Sequence, residues 1–235
     1  MKYSPVNVKV PDIQRPFVSG SYSYSNPSTK AANIKMIQEI NRNYGSLISY
    51  WGQIFEIPVG IIIGFIATES GGKMLKPNIY KATGLMQVTP AAIFDCARKW
   101  TAEVRSPLPV QASNVLKQKI PNFFTTSSLS SIQSKILLLL QTDANFNIMS
   151  GTLTLRWLIE RFSVDGGAGQ LNKAMVAYNA GAYLGALGGS KANTTPIDST
   201  SLSQNPRIPL ESRSYLLKTL GKDGFFQLIY KDKAI

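Results

Sequence analysis

The chain reads as mainly α-helical. Apolar side chains recur at intervals of three and four along most of its length, and no segment alternates apolar and polar residues persuasively enough to form a β-strand. Prolines and glycines also sit at the ends of apolar segments, where helices start and stop. A length of 235 residues fits one compact domain, and 44% apolar against 16% charged side chains excludes disorder over most of it.

Met1 to about Thr29 holds Pro5, Pro11, Pro16 and Pro27 among polar residues with Tyr22 and Tyr24, a composition that resists regular structure. An extended arm is expected over residues 1–30, serving as a linker, strap or docking segment, with one domain over 31–235. From Ile34, the residues Ile37, Ile40, Tyr44, Leu47, Ile48 and Trp51 share one face of a helix, with a bend expected at Gly45. Pro58 opens a second helix through Ile61, Ile62, Phe65 and Ile66 to Glu69, stopped by Gly71-Gly72. Residues 89–100 are expected to be helical. Thr101 to Ser131, with Pro107, Pro109 and Pro121, is expected to be irregular with short helical pieces. Lys135 to Phe162 reads as one long helix or two, Leu171 to Ala180 as another ended by Gly181, and Glu211 to Leu220 as the last, after a long loop from Gly188 to Pro209. No internal repeat is present.

Composition narrows the chemistry. With no histidine, the chain cannot build a Ser/His/Asp triad, a Cys/His dyad or a histidine zinc site, leaving carboxylates, Tyr, Lys and hydroxyls. Cys96 has no partner thiol, so there is no internal disulfide. The net charge of +12 calls for an acidic partner: nucleic acid, anionic lipid or an anionic polymer such as bacterial wall. A nucleic-acid reader should show a basic stripe, whereas the longest basic run is Arg98-Lys99. Residues 1–20 lack an apolar run, so no secretory signal peptide is expected. The apolar stretches at Ile57–Ala67 and Ile136–Leu140 fall short of the roughly 20 residues that span a bilayer, so no membrane span is expected.

One carboxyl is oddly placed. Glu69 shares a helix face with Ile62, Phe65 and Ile66, at offsets of seven, four and three. Desolvation there would hold it protonated near neutrality, as a general acid requires. The alternative is a helix-end glutamate whose head reaches water past Gly71.

The rest of the chain bears on this choice. Glu69-Ser70-Gly71-Gly72, Gly84-Leu85-Met86-Gln87-Val88-Thr89-Pro90 and Ala177-Tyr178-Asn179-Ala180-Gly181 resemble, in order, the signature motifs of the lytic transglycosylase catalytic domain, a family with the goose-type lysozyme fold. Asn147-Ile148 with Gly151 and Leu155, and the run from Ile208 through Pro209, Leu210, Glu211, Ser212, Arg213, Ser214 and Tyr215 to Leu216, also resemble its pattern. The likeness covers about Ile54 to Leu220. It implies a lysozyme-like helical domain that cleaves the β-1,4 bond between N-acetylmuramic acid and N-acetylglucosamine in peptidoglycan, with no metal or cofactor.

By that resemblance Glu69 is the catalytic acid/base. Ser70 and Gln87 would hydrogen-bond the sugar, Met86 would pack against it, Tyr178 and Asn179 would line the cleft, and Tyr215 would bring its hydroxyl near the carboxyl. Each has a structural alternative: Tyr178 and Met86 as core residues, Asn179-Ala180-Gly181 as a helix stop with Gly181 left-handed. The chain is longer than the family pattern between Pro90 and Asn147. An insertion is therefore expected near residues 95–131, whose Trp100, Phe123 and Phe124 would either stack on sugars or fill the core.

Most glycosidases use two carboxylates. Here the motifs supply one, and Asp143 and Glu211, the remaining candidates, read as structural. A single carboxyl suffices if the muramic acid N-acetyl group attacks C1 and the C6 hydroxyl closes a 1,6-anhydro ring. A hydrolytic muramidase and a catalytically silent wall-binding protein are the alternatives; a nucleic-acid binder has only the net charge in its favour. Without a signal peptide, delivery is expected through a larger machine, a phage particle or a secretion apparatus, with a phage endolysin as the next option.

Overall fold

The computed structural model describes Tyr3, Val6 and residues 27–163, 170–181, 199–221 and 223–235. These residues are mainly helical, with no extended strand among them, and an isolated antiparallel bridge joins Thr83 and Val88. The helices run in the order α1 (Pro27–Ile54), α2 (Val59–Ser70), α3 (Pro90–Arg98), α4 (Trp100–Val104), α5 (Val110–Lys119), α6 (Gln133–Thr142), α7 (Ala144–Arg161), α8 (Leu171–Ala180), α9 (Ser199–Gln204), α10 (Leu210–Leu220) and α11 (Phe225–Tyr230), with a 3-10 turn at Leu129–Ser131.

The core is organised around α7. Every residue from Phe146 to Ile159 is buried, and the helix packs against α1, α3, α4, α6 and α8. A helix buried on all sides must satisfy its polar groups internally. Thr152 Oγ1 accordingly donates to the Ile148 carbonyl at 2.7 Å, and Thr154 Oγ1 to that of Ser150 at 2.9 Å. Arg156, also fully buried, donates from Nε to the Phe55 carbonyl (2.8 Å), from Nη2 to the Glu56 carbonyl (2.6 Å) and from Nη1 to the Glu160 carboxylate (2.9 Å). It thereby satisfies carbonyls at the end of α1, where a helix has no internal donors to offer. The Tyr3 ring lies 5.0 Å from the same guanidinium and edge-on to Trp100.

The second buried helix is α2, packed on α1, α10 and α11. Its close approach to α11 depends on Gly64, where an added Cβ would stand 2.2 Å from the Phe226 ring.

Several element boundaries differ from expectation. Helix α1 begins at Pro27, earlier than Ile34, and runs unbroken through Gly45. It enters the segment expected as an arm, the rest of which, Tyr3 and Val6 apart, lies outside the described residues. Lys135–Phe162 is divided at Asp143, which caps α7 by accepting from the Phe146 N–H at 3.0 Å and pairs with Lys119 at 3.0 Å. Residues 101–131 contain the ten-residue helix α5 as well as α4. Trp100, at the start of α4, and Phe123 are fully buried in the core, and Phe124 is half-buried with its ring 5.0 Å from that of Phe123. The loop expected over Gly188–Pro209 contains α9, while its residues 188–198 lie outside the described ones. Helix α11 was not expected. Among the described residues no helix is long and apolar enough to cross a membrane.

Candidate active site

Glu69 lies in the last turn of α2, where the helix leaves the core. Gly71 caps this end with φ 62 and ψ 26, donating its N–H to the Ala67 carbonyl at 3.3 Å. Gly72 follows at φ 81, so close to α1 that a Cβ would meet Ile40 Cγ1 at 2.7 Å. The chain therefore turns away at once, and Glu69 is left partly exposed at the end of a buried helix. Ser70 closes the same end: its hydroxyl donates to the Ile66 carbonyl (3.1 Å) and accepts from the Gly72 N–H (3.2 Å).

In front of Glu69 is a cleft of about 700 Å³, walled by the end of α2, the α2–α3 loop, α8 and α10. The loop wall is set from behind by Asn147 on α7. Its Nδ2 donates to the carbonyls of Thr83 (2.9 Å) and Leu140 (2.8 Å), and its Oδ1 accepts from the Met86 N–H (2.9 Å). Gly84, at φ 79, passes so close that a Cβ would stand 2.0 Å from Asn147 Nδ2. The Thr83–Val88 bridge closes the loop into a tight turn, with Gln87 at φ 46 donating from Nε2 to the Gly84 carbonyl at 2.8 Å. A positive φ in a residue with a side chain is a strained state that its surroundings must enforce.

Tyr178 enters from α8. Its hydroxyl donates to the Met86 carbonyl at 2.8 Å and its ring meets Phe65 at 5.1 Å between centroids. Asn179 beside it accepts from the Ser212 hydroxyl at 2.6 Å, joining α8 to α10. Gly181 ends α8 at φ 97, ψ 145, a positive φ outside the left-handed helical region. From α10 come Glu211, Ser214, Tyr215 and Lys218, which share one helical face. Lys218 Nζ donates to the Thr68 carbonyl, one residue before Glu69, at 2.8 Å. The Tyr215 hydroxyl is buried opposite the Glu69 carboxyl, close enough to influence it but without the geometry of a formed hydrogen bond.

Of the residues expected at a site, Glu69, Gln87, Tyr178, Asn179 and Tyr215 line this one cleft. Ser70 and Met86 do not: Ser70 is turned to its own helix end, and Met86 is fully buried against Gly151, where a Cβ would stand 2.4 Å from its Sδ. No residue of the 95–131 segment reaches the cleft. Asp143 is occupied as a helix cap, whereas Glu211 lines the cleft. Sequence reasoning missed Lys218, Asn78 and Tyr80. The first had a signal, since Glu211, Ser214, Tyr215 and Lys218 form a polar stripe on a helix.

Burial pushes the Glu69 carboxyl from 4.5 up to about 8, against the opposing influence of the Tyr215 hydroxyl and the Lys218 ammonium, while Glu211 adds to the rise. Burial also lowers Lys218, partly offset by Glu69, and burial with Glu69 raises Tyr178 and Tyr215 well above the usual phenol range. Glu69 is thus an acid that keeps its proton at neutral pH beside an ammonium that favours its anion once the proton leaves. If it acts as a general acid, kcat/KM on a soluble glycan should fall about tenfold per pH unit above pH about 8. A falling limb centred near 4.5 instead would show that the carboxyl is not held protonated, and no falling limb would show that the acid form of Glu69 is not required.

No family model matches this sequence, and no curated protein does. Among solved structures, the chain is similar to the crystal structure of the 70 kDa soluble lytic transglycosylase SLT70 from Escherichia coli, with 24% identity over 81% of this chain and a TM-score of 0.48. The match takes up 25% of that larger chain.

Proposed function

We propose that this protein cleaves the β-1,4 glycosidic bond between N-acetylmuramic acid and N-acetylglucosamine in peptidoglycan, leaving 1,6-anhydro-muramic acid ends. The observation that carries this is the convergence, on one cleft, of a protonated Glu69 with Gln87, Tyr178, Asn179 and Tyr215, contributed by motifs up to 146 residues apart (69 to 215). The net charge of +12 suits an anionic polymer.

Glu69 gives its proton to the bridging oxygen as the bond to C1 breaks, and the N-acetyl carbonyl oxygen of the muramic unit bonds to C1. The Glu69 carboxylate, favoured by the nearby Lys218 ammonium, then takes the C6 hydroxyl proton while O6 attacks C1 and the N-acetyl oxygen departs. Glu69 ends as it began, and no water is consumed. Because the nucleophile is already tethered to the sugar, orientation replaces a bimolecular encounter.

A hydrolytic route has one observation in its favour: Glu211 lines the same cleft and is exposed, so a second carboxylate is available to activate water. Mass spectrometry of digested wall separates the two. We expect muropeptides lighter by one water and resistant to borohydride. Predominantly reducible ends would assign a muramidase, with Glu211 as its base, and an intact wall would leave a binding protein.

A further inference from the structure

We propose that the α2–α3 loop carries a sugar subsite at the rim of the cleft, with the Tyr80 ring as a platform on which one N-acetylhexosamine unit of the strand stacks. This deepens the glycan-cleaving function proposed above and rests on it.

Among the described residues, three aromatic side chains line the cleft: Tyr80, Tyr178 and Tyr215. The last two have their rings against Phe65, at 5.1 and 6.2 Å between centroids, so they belong to the wall. Tyr80 is 77% exposed and makes no ring contact with the other described residues. The backbone at Tyr80 is nonetheless firmly held. Asn78 Oδ1 accepts from the N–H groups of both Tyr80 (2.9 Å) and Ala82 (3.0 Å). The Asn78 N–H donates to the Ala82 carbonyl (3.1 Å), and the Lys81 N–H to the Asn78 carbonyl (2.9 Å). A turn held by four hydrogen bonds therefore fixes the backbone that carries this ring at the rim of the cleft before any ligand arrives. Hexosamine rings have one face of C–H groups, which such a ring can cover while the polar edges stay hydrated.

The charge around the ring fits the same occupant. From Gly71 to Pro90 the chain has Lys73, Lys76 and Lys81, all exposed, and no Asp or Glu. A strand whose muramic units carry carboxylate-bearing branches would find its sugar face at Tyr80 and its anionic branches among these lysines. The aromatics that looked available in the 95–131 segment do not compete for this role, since Trp100 and Phe123 are buried and neither they nor Phe124 line the cleft.

The test uses the full chain silenced by Glu69→Gln, so that binding is read without turnover. Its affinity for N-acetylglucosamine hexasaccharide is measured calorimetrically, with and without changes at Tyr80. Tyr80→Ala should weaken binding about tenfold, and Tyr80→Trp should hold it within about twofold, because a ring is required and a hydroxyl is not. Ile79→Ala, changing an adjacent residue 88% exposed, should have no effect. If Tyr80→Ala binds like its parent, or Tyr80→Trp loses as much as Tyr80→Ala, the platform is refuted while the cleavage function stands. If the Glu69→Gln parent binds no glycan, both fall.

Discussion

A Glu69→Gln protein should fold and clear bacterial wall at no more than about 1% of the wild-type rate, the lower end of what one acid/base group contributes. The amide keeps the size of the carboxyl and its place at the end of α2 but has no proton to give the departing oxygen. Stability should move the other way. The folded protein holds the Glu69 proton up to pH about 8, whereas the unfolded chain releases it near 4.5. Stability linked to this group is therefore complete below 4.5 and declines as pH rises to about 8. Glutamine does not titrate, so the variant should melt above wild type at pH 8 and together with it below pH 4.5. Near-normal clearing by the folded variant would remove Glu69 from the mechanism; equal melting at both pH values would mean that its carboxyl is not held protonated.

Gly84→Ala should cause the largest loss of stability of any single methyl addition in the cleft wall. The new Cβ would stand 2.0 Å from Asn147 Nδ2 and 2.5 Å from the Leu140 carbonyl, at a φ of 79 that disfavours side chains. Asn147 must move, leaving buried partners at Thr83, Leu140 and Met86 unsatisfied. Each unpaired buried group costs roughly 1–3 kcal/mol, so three cost at least about 3 kcal/mol, and the left-handed backbone adds about 1 kcal/mol; a loss of about 4 kcal/mol or more is expected in denaturant unfolding. Asn147→Ala should cost a similar amount, and the double variant less than the sum, because both break one network. A Gly84→Ala protein that unfolds with wild type would show that the loop has room the structure does not.

The helices that sequence made legible were those with a long apolar stripe, such as α2 and α7. The start of α1 was hidden because Pro27-Ser28-Thr29-Lys30-Ala31-Ala32 has no apolar periodicity to display, although Pro27 and the paired alanines are helix signals. Helix α9 is short and polar, and α11 is a six-residue run, Phe225–Tyr230, too short for its period to separate helix from strand. Within the site, residue types at motif positions were readable, but their neighbours were not. Asn147 reaches loop residues more than 60 positions away, and Tyr80 matters through the turn that displays it. Met86 and Ser70 follow the same logic: the residues that shape a wall stand next in sequence to those that face the cleft.

The Asn147 clamp also ties the timescale of the site to that of the whole domain. The buried Met86 amide is bonded to a side chain on α7, whose residues from Phe146 to Ile159 are all buried, so its proton can exchange with solvent only when the loop lifts off Asn147 or that helix comes loose from the core. The back wall of the cleft is therefore built on the best-packed helix, and substrates meet it already formed. Any substitution in the α7 core that lowers global stability would shorten the time this wall stays closed, even without touching a residue of the cleft.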